Sequence, residues 1–85
     1  MSIGKELNDF GMCFHDRLPE QILKFALDYI GFGEEPLAFE TLCDYLCEYD
    51  ISITEAEYRN ITYFNQILKC PLDKRVIRYL HDLVR

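Results

Sequence analysis

The sequence predicts an all-α protein: one compact domain, residues 1–85, built from about five helices. Apolar residues recur at spacings of three and four, which is the helical period, and no segment alternates apolar and polar residues for long enough to form a strand. Proline stands at two positions that suit the first turn of a helix, Pro19 and Pro36. Because a chain of this size buries only about 60–65% of its unfolded surface, it holds one modest core and no second domain.

The first two helices are predicted at residues 3–16 and from Pro19 to Gly31. Gly11 either weakens the first helix or marks its end. The apolar residues of the first helix follow the helical period: Ile3, Leu7, Phe10 and Phe14. The second helix is apolar on more than one face, which predicts that it lies at the centre of the core. Its apolar residues are Ile22, Leu23, Phe25, Ala26, Leu27, Tyr29 and Ile30.

The third helix is predicted to begin at Pro36 and to end near Asp50. It follows the glycine-containing turn 31–33, so it should be the antiparallel neighbour of the second helix. Its predicted apolar face is Ala38, Leu42, Tyr45, Leu46 and Tyr49, with Phe39 at the edge. The other side carries Glu40, Asp44 and Glu48, one turn apart. Like charges at this spacing destabilise a helix by roughly 0.2–0.5 kcal/mol per pair, so a row of one sign is unusual for a merely solvated face.

The fourth helix has the clearest start signal in the chain. Thr54 and Glu57 form a capping box, flanked by a hydrophobic staple of Ile53 and Tyr58. Residues 51–53 form a short extended link before it, and Cys70-Pro71 should end it. The fifth helix is predicted at residues 74–84 with Asp73 as its cap. Its outer side is basic: Lys74, Arg78, His81 and Arg85.

Acidic residues are concentrated in the middle third of the chain. The net charge is −6, and the segment from Asp28 to Tyr58 holds nine acids and no Lys or Arg. This balance argues against nucleic acid as the main partner. Two interpretations of the acidic helix face remain: a solvated surface that keeps the protein soluble, or a docking surface for a basic protein such as a nuclease. The basic side of the fifth helix suggests a nucleic-acid contact as a rival.

The sequence offers little for catalysis or for a bound cofactor. The two histidines, His15 and His81, lie near opposite ends, and the chain has no Gly-rich phosphate-binding loop. We therefore expect no enzymatic activity, no cofactor and no metal site. The carboxylates of Glu40 and Asp44 are of the type that hard cations bind, but no loop or second ligand set accompanies them.

The cysteines are predicted to be reduced and structural: Cys13, Cys43, Cys47 and Cys70. The start of the chain lacks the pattern of a secretion signal, and the apolar runs are shorter than the roughly 18 residues of a membrane span. A cytoplasmic protein is expected, and thiols stay reduced in that compartment. A zinc site would need closer cysteine pairs, or the two histidines joining Cys13 and Cys70.

One stretch of the chain resembles a known family. The likeness consists of a turn with Gly and an acid, an Ala-x-Glu-x-Leu pattern, a later Leu-x-Glu and a capped helix that carries Tyr. In this chain the matching residues are Gly33, Glu34, Ala38, Glu40, Leu42, Leu46, Glu48, Thr54 and Tyr58. With them, the segment 22–61 resembles the MafI family of small immunity proteins. Related short helical immunity proteins occur in contact-dependent inhibition systems.

The resemblance implies an intracellular protein that binds and neutralises a cognate bacterial toxin. Many such toxins are nucleases, EndoU-like ribonucleases among them. The expected toxin-binding residues are the acids of the third helix and its ends: Glu34, Glu35, Glu40, Asp44, Glu48 and Asp50. The alternative is an acidic helical adaptor or regulator that acts through protein–protein assembly. The sequence names neither the toxin nor the part of the toxin that is blocked.

The charge distribution also predicts a homodimer. Residues 59–85 hold six bases and two acids, a net +4, so the acidic middle of one copy complements the last third of another. Exposed ion pairs contribute only about 0–1 kcal/mol each, so apolar contacts would have to contribute as well. The candidates for those contacts are Phe32, in the turn 31–33, and Tyr63 and Tyr79, which lie off the main apolar stripes of their helices.

Overall fold

Five helices make up the fold. A computed structural model describes residues 2–69 and 72–85. The helices are α1 (Ile3–Met12), α2 (Glu20–Gly31), α3 (Glu35–Glu48), α4 (Glu55–Ile67) and α5 (Lys74–Asp82). Within the described residues the only extended pairing is an isolated parallel bridge between Ile53 and Val84. The all-α prediction is confirmed, whereas the predicted helix break at Cys70-Pro71 lies outside the described residues.

Helix α1 begins at a side-chain cap and ends earlier than predicted. The Ser2 hydroxyl accepts a hydrogen bond from the Lys5 backbone N–H, which satisfies one of the free donors of the first turn. The helix stops at Met12 rather than near residue 16, because the next residues form tight turns instead of helical bonds. The Arg17 guanidinium binds the Cys13 carbonyl and helps to hold this turned segment.

Gly11, in the last turn of α1, packs closely against α2. A Cβ at this position would lie 2.6 Å from the Leu27 Cδ2 atom and 3.1 Å from Leu27 Cδ1 on α2. The absence of a side chain therefore lets α1 and α2 approach closely. The glycine neither breaks the helix nor marks its last residue, since α1 continues to Met12.

The turn between α2 and α3 is a Schellman motif. The Gly33 N–H binds the Ile30 carbonyl and the Glu34 N–H binds the Tyr29 carbonyl, each at 3.0 Å. Gly33 has a φ of 73°, in the left-handed region that glycine occupies without strain. So short a connection makes α2 and α3 antiparallel neighbours, and this pair has the most extensive helix–helix contact in the fold.

Helix α3, rather than α2, is the central helix. It contacts α1, α2 and α5, and its buried residues are Ala38, Phe39, Leu42, Cys43 and Leu46. The predicted apolar face was wrong at two positions: Phe39 is fully buried instead of at an edge, and Tyr49 is 46% exposed. The buried arc is rotated toward Phe39 and Cys43, and the Phe39 ring packs against Phe64 of α4 with the ring centres 5.9 Å apart. Helix α3 ends at Glu48, two residues before the predicted end.

The start of α4 and the end of α5 are joined. The predicted capping box is present: the Glu57 N–H donates to Thr54 Oγ1 at 3.0 Å, and the Thr54 N–H donates to Glu57 Oε1 at 2.8 Å. Just before it, the Ile53 N–H binds the Leu83 carbonyl, and the Arg85 N–H binds the Ile53 carbonyl. Helix α5 starts at its predicted Asp73 cap and ends at Asp82, since Val84 has left the helix to pair with Ile53.

A long-range ion pair connects the turn after α1 to α4. The Arg17 guanidinium donates to both Glu57 oxygens, at 2.9 and 2.6 Å, and to the Ser52 carbonyl at 3.0 Å. It also lies 4.5 Å from the centre of the buried Phe14 ring. The pKa of the Glu57 carboxyl is lowered, first by the Arg17 hydrogen bonds and then by the Thr54 backbone N–H. The Arg17 side chain thus connects the turn after α1, the link before α4, and α4 itself.

Candidate partner-binding site

The predicted acidic row lies on the exposed side of α3. Glu40, Asp44 and Glu48 are all exposed, and they follow one another at one-turn spacing, about 6 Å between successive Cβ atoms. None of the three forms an ion pair with any residue in 2–69 or 72–85. By contrast, Asp28 on α2 is neutralised by Lys24 at 3.0 Å. The row is therefore a strip of uncompensated negative charge.

The middle member of the row is electrostatically strained. The pKa of the Asp44 carboxyl is raised, first by partial burial and then by the negative charges of Glu40 and Glu48. An acid whose pKa is higher in the folded state than in the unfolded state lowers the stability of the fold when it is charged. The destabilisation is present at neutral pH and disappears as the pH falls through the folded-state pKa.

Replacing Asp44 with Asn should therefore stabilise the protein at neutral pH. Removing two like-charge pairs at one-turn spacing is expected to add about 0.4–1 kcal/mol to the free energy of unfolding. Urea denaturation at pH 7 measures this, and the difference from the unmodified chain should vanish in acid. Asp28→Asn is the matched control, because it removes an attraction to Lys24 and should stabilise nothing. If the two variants were equally stable at pH 7, the acidic row would carry no strain.

The predicted acids at the ends of α3 are in different environments. Glu34 is exposed at the helix N-terminus and makes no side-chain cap bond. Glu35 is half-buried, with its carboxylate against Gly4 at the start of α1. Asp50 accepts a hydrogen bond from the Tyr79 hydroxyl of α5 and has a φ of 49° in the turn that ends α3. The structure therefore leaves Glu34 available with the row, while Glu35 and Asp50 make contacts within the fold.

Exposed apolar side chains lie on α2, on α3 and in the turn between them, and the sequence did not predict all of them. Leu37 precedes Glu40 by one turn on the same side of α3 and is 38% exposed. Phe32 is 79% exposed, as its place in the turn before α3 suggested. Phe25 was expected in the core, but it is 52% exposed. A helical projection of α2 would have placed it away from the buried residues Leu23, Ala26 and Leu27.

The cysteines next to the row are poor nucleophiles. Burial, followed by the neighbouring thiol and carboxylates, raises the pKa of Cys43 well above its usual range. Burial and the charges of Asp44 and Asp50 raise the pKa of Cys47 to about 11. Burial is thus the first cause, ahead of the negative charge that the sequence suggested. Cys13, Cys43 and Cys47 are free thiols, but Cys13 is exposed, so the prediction of a structural role is wrong for that residue; the prediction for Cys70 lies outside the described residues.

These environments predict selective labelling. In the native protein at pH 7.5, iodoacetamide should modify the exposed Cys13 while Cys43 and Cys47 stay unmodified until the chain is unfolded, because the thiolate is the reactive form. Peptide mass spectrometry resolves the three sites. A disulfide to Cys43 or Cys47, or native labelling of these two as fast as that of Cys13, would contradict the assignment.

Other chemistry-bearing groups do not converge. In the part of the chain that the structure describes, no three His, Cys, Asp or Glu side chains are placed to hold a metal ion. The basic residues predicted on the outside of α5 are exposed: Lys74, Arg78, His81 and Arg85. Tyr63 and Tyr79, predicted to lie off the apolar stripes, are 43% and 44% exposed, and each donates a hydrogen bond to an acid within the fold. No helix among the described residues has the length and apolar character to cross a membrane.

Comparison with protein-family models, with curated proteins and with solved structures gives no match for this chain. The function must therefore be argued from the surface itself.

Proposed function

We propose that this chain is an immunity protein, which binds a cognate bacterial toxin domain and neutralises it by occlusion. The favoured partner is a nuclease, with an EndoU-like ribonuclease as the first candidate, in line with the resemblance to the MafI family. The chain supplies no chemistry of its own in this proposal. Its acidic face covers the basic surface with which a nuclease holds phosphate groups.

The observation that carries the proposal is the unpaired row on α3. Three exposed carboxylates stand one turn apart with no cation bound to them among the described residues, and Glu34 extends the charge to the helix start. Acidic surfaces of this kind accelerate association with basic partners and select against other partners. The rigid central helix holds the row in place, so little ordering is needed on binding.

The strain at Asp44 supports a binding role over a merely solvated surface. A merely solvated surface usually mixes acids with bases, as at Lys24–Asp28 on α2. On α3, partial burial first and then the like charges of Glu40 and Glu48 raise the pKa of Asp44, so its charged carboxylate lowers the stability of the free protein. Local departures from the most stable choice are typical of functional sites, where a partner relieves the strain.

Co-expression with the toxin domain encoded beside this chain's gene tests the proposal. The chain should restore growth of cells that make the toxin domain and should co-purify with it as a stoichiometric complex. An adaptor or regulator, the alternative function, would not form that complex and would not protect the cells from the toxin domain. A toxin domain that remains fully active in the presence of excess purified chain would refute the proposal.

A further inference from the structure

Exposed aromatic side chains form a patch on α2 and on the turn that follows it, next to the acids Glu34 and Glu35 in the chain. Phe25 is 52% exposed and Phe32 is 79% exposed. Scattered exposed apolar residues need no explanation, but large aromatic side chains grouped on one surface mark an interaction site.

Helical spacing places the aromatic members together. Phe25, Tyr29 and Phe32 are related by one and two turns of α2, and the Phe25 and Tyr29 rings meet edge to face at 5.6 Å. The buried residues Leu23, Ala26 and Leu27 lie on the opposite side of α2. Tyr29 is partly buried against the core and contacts Phe25. Phe25 and Phe32 are therefore the two rings that project into solvent.

The charges around this patch decide what it fits. Lys24, beside Phe25, is paired with Asp28, and from Asp28 to Tyr58 the chain has no Lys or Arg, so every charged side chain on the turn and on α3 is acidic. A second copy docked face to face would bring carboxylates against carboxylates, and an anionic membrane would be repelled in the same way. A basic protein surface with an apolar pocket is the complementary partner.

We propose that Phe32, assisted by Phe25, is the apolar anchor of the interface, entering a pocket on the basic toxin domain while the acids of α3 lie at its rim. This inference rests on the proposed function and assigns different roles to the aromatic residues and to the acids. Aromatic side chains at the centre of an interface carry most of the binding energy and set the dissociation rate, whereas rim charges set the association rate. Phe32 suits the first role because it stands at the turn, 79% exposed, on a backbone fixed by the Schellman motif.

The experiment measures binding of Phe32→Ala and Phe25→Ala chains to the toxin domain encoded beside this chain's gene. Phe32→Ala should weaken binding about 30-fold, mostly through faster dissociation, with the salt dependence of association unchanged. Ile67→Ala is the matched control, since Ile67 is a 40% exposed apolar residue on α4. Its binding should stay within twofold of the unmodified chain. Thermal unfolding of each variant shows whether the fold is retained, as the exposure of Phe32 leads us to expect.

The outcomes separate this inference from the proposed function. If Phe32→Ala and Phe25→Ala bind as tightly as the unmodified chain while charge reversal on α3 weakens binding, the apolar anchor is wrong and the immunity function stands. If the unmodified chain does not bind the toxin domain, both are wrong. Loss of binding in Ile67→Ala equal to that in Phe32→Ala would also overturn the anchor, because the patch would then have no special role.

Discussion

Replacing Arg17 with Met should lower the free energy of unfolding by about 2–3 kcal/mol. Removing one partner of a fully buried ion pair costs about 3–5 kcal/mol, because the other charge is left uncompensated. Here the Arg17 side chain is 31% exposed and that of Glu57 only 13%, so solvent offsets part of the loss. The hydrogen bonds to the Ser52 and Cys13 carbonyls are lost in the same substitution. In a domain of this size the midpoint of thermal unfolding should fall by about 10–20 °C.

Arg59→Met is the matched control for this prediction. Arg59 pairs with Glu55 at 3.6 Å, and both side chains are 74% exposed, so its loss should change stability by about 0.5 kcal/mol or less. The pKa of Glu57 is lowered in the folded protein, so its contribution is complete above the ordinary glutamate pKa and is lost as the pH falls through the folded value. The gap between Glu57→Gln and the unmodified chain should therefore close in acid. Equal losses in the two arginine variants would mean that the Arg17 network does not hold the fold.

Reversing Glu40 and Asp44 to Lys should abolish most of the affinity for the proposed toxin partner. The substitution places two positive charges against a basic surface, and like-charge contacts of this kind cost several kcal/mol, so the Kd should rise at least about 100-fold. Association at low salt should slow about 10- to 100-fold, and its dependence on salt should weaken, because steering by the row is lost. Stopped-flow mixing at several salt concentrations measures both effects.

A second double reversal controls for net charge. Asp9→Lys with Asp16→Lys changes the charge by the same amount, at two exposed positions on α1 and in the turn that follows it. This variant should keep an association rate within about threefold of the unmodified chain. If it slowed association as much as the α3 reversal, total charge rather than the acidic row would govern binding. An unchanged rate in the α3 reversal at low salt would remove the row from the interface.

The features predicted from sequence are those set by local rules. The capping box of Thr54 and Glu57 and the exposure of Glu40, Asp44 and Glu48 both follow from spacing within one helix. Features that depend on distant segments were missed or misplaced. The pairing of Arg17 with Glu57 joins residues 40 positions apart, and no local sequence pattern near either residue predicts it.

The errors in helix ends and core positions have the same origin. Phe39 lies in the core, where its ring packs against Phe64 of α4, and Phe25 lies in solvent because the buried residues of α2 are on the other side of that helix. Both depend on how the helices are arranged, which the periodicity of one helix does not encode. The apolar half of the candidate site was therefore only partly visible from sequence, whereas its charged half was predicted from the absence of bases between residues 28 and 58.

Hydrogen exchange of the chain, alone and saturated with the proposed partner, a toxin domain encoded beside its gene, tests the central claim most directly. The account predicts that added protection is concentrated in peptides that cover the 31–34 turn and α3, with α4 and α5 little changed. Protection confined to α4 and α5, with residues 31–48 exchanging as in the free chain, would contradict it.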